Sequence, residues 1–271
     1  MKKKTARRHN YSLIAGLILT GLLVAVILIG TLWTPYDPNA MSAGEKLLAP
    51  SLSHPFGTDN FGRDIFSRVL EGARTTLFIG VCTVAIGTLF GVLAGSLTGY
   101  YGGWLDEILM RFNDSITAFP SILLALVVVS LFGSGKYKII LTLGILFIPS
   151  FARIVRSAFA RERGRDYVEN ARVMGASDGR ILFAHILPNV RQVLLSAVAI
   201  GFNNAVLAEA SMSYLGVGVL PPDASLGRML SESQTYLFTA PWYAVCTGVF
   251  LILLILGFSL LGQGLQEGGR R

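Results

Sequence analysis

Apolar residues along this chain gather in long runs separated by short polar stretches. The runs are too long for strands and too uninterrupted for the one-sided helices of a soluble core. The first, Tyr11 to Trp33, would make roughly 34 Å of helix, enough to cross a bilayer. Further runs at about 75–100, 116–133, 138–155, 192–215 and 243–264 bring the expected number of spans to six. Pro120 falls near the start of the third run, where a proline is tolerated as a kink or an early-turn residue. Lys136, Lys138 and Arg153 crowd the ends of the fourth. The pattern predicts an all-α polytopic membrane protein divided into 1–74 (tail, first span and outer segment), a core of 75–264 carrying the loop 156–191, and a tail 265–271.

Composition agrees. Hydrophobic residues make up 52% of the 271 residues and charged residues only 14%, where a soluble domain carries about a quarter. Mean hydropathy is +0.59. The net charge of +7 sits mostly on lysines and arginines flanking apolar runs, which fits membrane orientation better than nucleic-acid binding. Lys2, Lys3, Lys4, Arg7 and Arg8 precede the first run in signal-peptide order. A signal peptide has a shorter apolar core and a small-residue cleavage site, so a retained span is expected. Cys82 and Cys246 lie in separate apolar runs and offer neither a disulfide framework nor metal-ligand spacing.

Positive residues orient the spans. The tail 1–10 is basic, and the loop 156–191 carries Arg156, Arg161, Arg163, Arg165, Arg172, Arg180 and Arg191. Segment 34–74 balances its cations with acids, and 216–242 has only Arg228. Both termini and the loop 156–191 are therefore expected in the cytoplasm.

Within the second span Gly87, Gly91, Gly95 and Gly99 recur at steps of four, a stripe that lets another helix approach closely. In the loop, Tyr167, Val168, Ala171 and Met174 share a helical face, Gly175 offers a helix C-terminus, and Ser177 or Asp178 can cap a second helix bearing Ile181, Leu182, His185 and Ile186. Pro188 is expected to end that helix before the fifth span. Two short amphipathic helices at an angle need a partner, either a lipid surface or a docked protein.

The stretch "ENARVMGASDGRILFAHILPN" (169–189) resembles the signature loop of permease subunits of bacterial ATP-binding-cassette importers. There Glu-Ala-Ala, three residues, Gly and a closing Ile-Leu-Pro form the pattern. Here Glu169-Asn170-Ala171, Gly175 and Ile186-Leu187-Pro188 match it, with Asn170 the one departure. "HPFGTDNFGRDIFSRVLEGAR" (54–74), "GYYGGWLDEILMRFND" (99–114) and "EASMSYLGVGVLPPDASLGRML" (209–230) narrow the likeness to the second permease of the dipeptide, oligopeptide and nickel group, over about residues 34–265. Leu226, where that group is expected to have tryptophan, and Gln263 and Gln266, where Asp and Arg are common, depart from it.

The resemblance implies a type I importer fold in a bacterial inner membrane. It implies a second homologous permease, two ATP-binding subunits holding ATP and magnesium, and an extracytoplasmic substrate-binding protein. It assigns ATPase coupling to Glu169, Ala171, Arg172, Gly175, Asp178, Ile186, Leu187 and Pro188. Peptides are the expected cargo, with nickel or a nickel chelate as the alternative. Asp59, Arg63, Asp64, Asp223 and Arg228 are candidates for binding-protein contact or for self-packing of the outer segments, which are expected to include a short helix at 63–72.

Asn203, Asn204 and Glu209 on the fifth span can line a translocation path or bond to a neighbouring helix. No catalytic residue, resident cofactor or metal site is expected in the chain itself. His9, His54 and His185 lie outside the spans, and Gly133-Ser134-Gly135-Lys136 is too short for a phosphate loop. A secondary transporter would call for inverted repeats, and an intramembrane enzyme for paired catalytic groups at one depth, where Glu209 is alone.

Overall fold

A computed structural model describes residues 11–269. The basic tail 1–10 and the last two arginines lie outside the described residues. Helices, in chain order, are α1 (Tyr11–Leu32), α2 (Ile65–Tyr101), α3 (Gly103–Thr117), α4 (Ser121–Phe132), α5 (Lys136–Glu162), α6 (Asp166–Val173), α7 (Asp178–Arg180), a π-helical stretch (Ile181–Ile186), α8 (Leu187–Tyr214), α9 (Leu226–Ser233) and α10 (Pro241–Gly269). α1, α2, α5, α10 and the continuous stretch Asp178–Tyr214 are each long and apolar enough to span a membrane.

The third expected span takes another form. α3 and α4 meet at an 87° bend, which makes the pair a broken span or a re-entrant loop in place of one straight helix. Pro120 lacks the N–H that would continue α3 and caps α4 in an extended conformation. α3 is amphipathic and lies against α5. Its Asp106 takes two hydrogen bonds from Arg156 (2.5 and 2.6 Å), Asp114 takes one from Arg153 (2.7 Å), and buried Asn113 donates to the Pro149 carbonyl (3.0 Å).

Two further expectations are corrected. The short helix at 63–72 is the start of α2, which runs unbroken to Tyr101. Asp64 caps it, accepting from the Ser67 N–H (2.8 Å). Pro188 does not end a helix either. It sits in the first turn of α8, and the π-helical stretch before it carries the chain through. There Leu187 N–H reaches back to the Leu182 carbonyl, a wider turn that accommodates the proline ring against the preceding helix.

α2 and α5 pack along the glycine stripe. A Cβ added at Gly87 would stand 2.9 Å from Phe147 Cβ, one at Gly95 2.5 Å from the Ala152 carbonyl oxygen, and one at Gly99 2.6 Å from that of Arg156. Gly91 meets Phe151 and Ala152 in the same way. α1 lies on α10 by the same device, with Gly16 against the Leu261 backbone and Gly264 against Leu13. In lipid, where apolar side chains gain nothing by leaving the solvent, such close backbone contact is what holds helices together.

Gly95→Leu is therefore expected to push α2 and α5 apart, at an overpacking cost of about 1–3 kcal/mol, and to lower the melting temperature of the detergent-purified protein. Gly21→Leu, on an open face of α1, is the control. A wild-type melting temperature for Gly95→Leu would contradict this packing.

Candidate functional site

Beside the α2–α5 seam, α5 and α8 enclose a trench with α4. Its first compartment, about 380 Å3, lies among α4, α5 and α8. Its walls are mostly apolar (Phe147, Ile154, Leu207, Met212), with Ser121, Ser150, Asn204 and Ser211 set among them. Ser121, Ser150 and Asn204 are exposed to it and make no described hydrogen bond through their side chains, so they are free for a guest. A second compartment, about 550 Å3, continues toward the loop end of the bundle and shares Ile154, Ala197 and Ile200 with the first. It adds Arg161, Asn189, Gln192 and Gln266. The α8 wall runs from Asn189 to Ser211, roughly 33 Å at about 1.5 Å per residue. That is close to the thickness of a bilayer core, about 30 Å.

Of the polar residues expected on this helix, only Asn204 faces the trench. Asn203, one step around the helix, turns to α10. With its amide oriented to satisfy both ends, it donates to the Ile255 carbonyl (3.1 Å) and accepts from the Ser259 N–H (3.0 Å). Glu209 is fully buried away from the trench, against α2 and the loop 215–225. Thr76 accepts the Leu226 N–H (3.3 Å) and donates to one carboxyl oxygen of Glu209 (2.9 Å). Ser213 accepts the Val219 N–H (3.1 Å) and donates to the other (2.7 Å). Two hydroxyl relays thus tie the loop 215–225 and the start of α9 to one carboxyl group. Leu226, the departure from the expected tryptophan, is buried at that junction.

The outer candidates are likewise spent inside the chain. Asp59 is fully buried, accepting from Arg63 Nε (2.6 Å) with Arg68 Nε 3.7 Å away. Asp64 accepts from Ser67 and lies 3.0 Å from His54 Nδ1. Arg63 and Tyr243 reach Glu232 (3.3 and 3.1 Å), which also takes Arg228 Nε (2.9 Å). Burial removes Asp59, Arg63 and Asp64 from any surface a partner could touch. Asp223 and Arg228 are partly exposed, but they pair with Lys136 (3.2 Å) and Glu232.

At the opposite end α6 packs Val168 and Ala171 onto Tyr100, Phe159 and Ile181. Gly175 ends it at φ +82°, with its N–H on the Arg172 carbonyl (3.0 Å) and the Ala176 N–H on that of Ala171 (3.0 Å). This turn throws Val173 and Met174 outward, 87% and 89% exposed, so Met174 leaves the apolar face it was expected to share. Asp178 accepts from the hydroxyls of Tyr100 (2.7 Å) and Tyr101 (3.2 Å), and Arg172 donates to Tyr100 (3.2 Å), which roots the loop in the end of α2. Burial, and then the neighbouring Glu162, push the Tyr167 phenol up, and its hydroxyl donates to Glu162 (3.0 Å). Glu169 and Pro188 are exposed, Leu187 half-buried and Ile186 buried. Ser121, Ser150 and Arg161 carry no motif that marks them as trench residues. Their helical spacing with Ile154 on α5 was the available signal for the last two.

A membrane-spanning bundle with a lengthwise trench and a rooted polar loop defines a transport permease rather than an enzyme. Residues 87–268 match the family described as binding-protein-dependent transport system inner membrane component, and the chain belongs to that family. Permeases of such systems work with a partner permease, ATP-hydrolysing subunits and a binding protein. The chain is 36% identical to the dipeptide transport system permease protein DppC of Alkalihalophilus pseudofirmus and 39% identical to the glutathione transport system permease protein GsiD of Pectobacterium atrosepticum, each over 96% of this chain and 86% of the relative. Its fold is similar to a chain of the inward-facing MetNI methionine ABC transporter, with a TM-score of 0.64 and 20% identity over 76% of this chain and 98% of that one.

Removing the Glu209 carboxyl orphans two buried hydroxyls at about 1–3 kcal/mol each. Glu209→Leu is expected to lower the melting temperature and Glu209→Gln to do so much less. Equal melting temperatures for the wild type and Glu209→Leu would contradict the relay.

Proposed function

We propose that this chain is one of two permease subunits of an ATP-driven peptide importer, and that the trench between α5 and α8 is its half of the translocation path. The observation that carries the reading is the trench itself: a bilayer-long wall that is apolar and uncharged through its first compartment, with free hydroxyl and amide groups at intervals. Such a wall suits a small molecule with amide groups and modest apolar side chains. The dipeptide and glutathione permeases among its relatives support the same cargo class. Among the described residues, those lining the trench include no carboxylate, thiolate or imidazole, which favours peptide over bare nickel.

Both termini and the loop 156–191 then face the cytoplasm. One of two ATPase subunits, carrying ATP and magnesium, seats against 166–188, with Val173, Met174 and Glu169 offered to it. Asp178 and Arg172 pass its movement to α2 through Tyr100, and the continuous helix from Asp178 passes it to α8. The binding protein delivers cargo at the opposite end, onto a surface whose charged clamp is internal.

Reconstitution into vesicles with the partner permease, ATPases and binding protein tests this. ATP-dependent uptake of labelled dipeptide in preference to nickel is expected; uptake of nickel without peptide would overturn the cargo assignment. Gly175→Pro is a second test. It forces a φ near −65° where +82° is needed and removes the N–H bonded to Arg172. Normal membrane insertion is expected, with ATP hydrolysis no longer driving uptake, while Gly164→Ala, in open space and outside the docking segment, keeps coupling. Coupled uptake by Gly175→Pro would remove the loop from the mechanism.

A further inference from the structure

Arg161 is the only ionised side chain among the described residues that line the trench, and it stands in the compartment nearest the loop end. The other arginines on the C-terminal half of α5 and at its C-cap have partners. Arg153 bonds Asp114, Arg156 bonds Asp106, and Arg163 lies 3.5 Å from the Tyr100 carbonyl oxygen. Arg161 has no described acidic or hydrogen-bonding partner. The adjacent Glu162 is engaged by Tyr167 instead. Around Arg161 the wall supplies neutral amides: Asn189 bonded to the His185 carbonyl (2.8 Å), Gln192 to that of Leu265 (3.3 Å), and Gln266. A cation left unpaired beside amide donors, below an apolar passage, is suited to an anion arriving along that passage.

We propose that Arg161 binds the carboxylate of the transported molecule at the cytoplasmic mouth, so that peptides leave carboxylate end first. The proposal rests on the trench being the translocation path. A carboxylate entering the apolar compartment loses much of its hydration, and the first group on the wall able to compensate with charge is the Arg161 guanidinium. Its planar fork matches a carboxylate with two parallel hydrogen bonds. The ammonium end of the same peptide is repelled there, which fixes the orientation in which it leaves. The cargo class is therefore a zwitterionic or anionic peptide with a free C-terminal carboxylate.

The test uses the complete reconstituted importer and two labelled cargoes, a dipeptide and its C-terminal amide, both first shown to bind the delivery protein. Each rate is expressed as variant over wild type, so that selection by the delivery protein cancels. For Arg161→Gln the ratio is expected to fall about tenfold for the free acid, the scale of one lost charge-assisted hydrogen bond, and to stay within about twofold for the amide. Arg161→Lys is expected to recover most of the free-acid rate. An equal fall for both cargoes would mean that Arg161 serves the ATPase contact or the fold, and would overturn the proposal. An unchanged rate for both would overturn it too, while leaving the peptide-importer reading standing. If the wild type moves neither cargo, the peptide-importer reading itself fails, and this inference with it.

Discussion

The near-contact of the α2 and α5 backbones is the constraint on which the rest of the structure depends. Gly87, Gly91, Gly95 and Gly99 leave no side chain between the helices, so α5 is pressed to α2 along one face for more than three turns. That contact dictates which way the other side of α5 looks. Ser150 and Ile154 are turned to α8, with Phe147 at the edge of the seam, and the space between becomes the trench. A bulkier stripe would shift α5 and change the cavity before any trench residue was altered.

Each end of this arrangement is anchored by polar groups that could not be left unpaired in a low-dielectric surrounding. On one side Asp59 lies between Arg63 and Arg68, and Glu232 draws α9 and α10 onto the same cluster. Beside it Glu209 gathers the loop 215–225 through Thr76 and Ser213. On the other side Tyr100 lies between Arg172 and Asp178. The two anchors differ in consequence. The first is buried and brings α2, α9 and α10 together, which suits a fixed frame. The second is partly exposed and joins α2 to a loop whose tip carries unburied Val173 and Met174, which suits a joint that receives force.

Much of this was legible in the chain because period and run length survive folding. The apolar runs marked the spans, glycines at steps of four marked the α2 seam, and Gly175 marked the end of α6. What stayed hidden depended on partners distant in sequence. The break between α3 and α4 reflects Pro120 together with Asp106 and Asp114, whose arginines lie on α5. Whether Asp59 meets a partner protein or Arg68 is decided by the return of the chain, and charge content alone reads the same either way. Asn203 and Asn204 are about 100° apart around one helix, so only one of them can face the trench, and the position of α10 selects Asn204.

The most direct test of the central claim, that the α5–α8 trench is the aqueous route through the membrane, is cysteine accessibility in the complete importer. Cys82 and Cys246 would first be replaced by serine, and single cysteines then placed at Ser150, Ile154, Val193 and Asn204, with Val245 and Ile252 on an exposed face of α10 as comparators. The account predicts that a water-soluble thiol reagent labels the four trench positions and spares the comparators, and that cargo in transit slows the labelling. Labelling of α10 with the trench positions silent, or labelling that cargo does not affect, would contradict it.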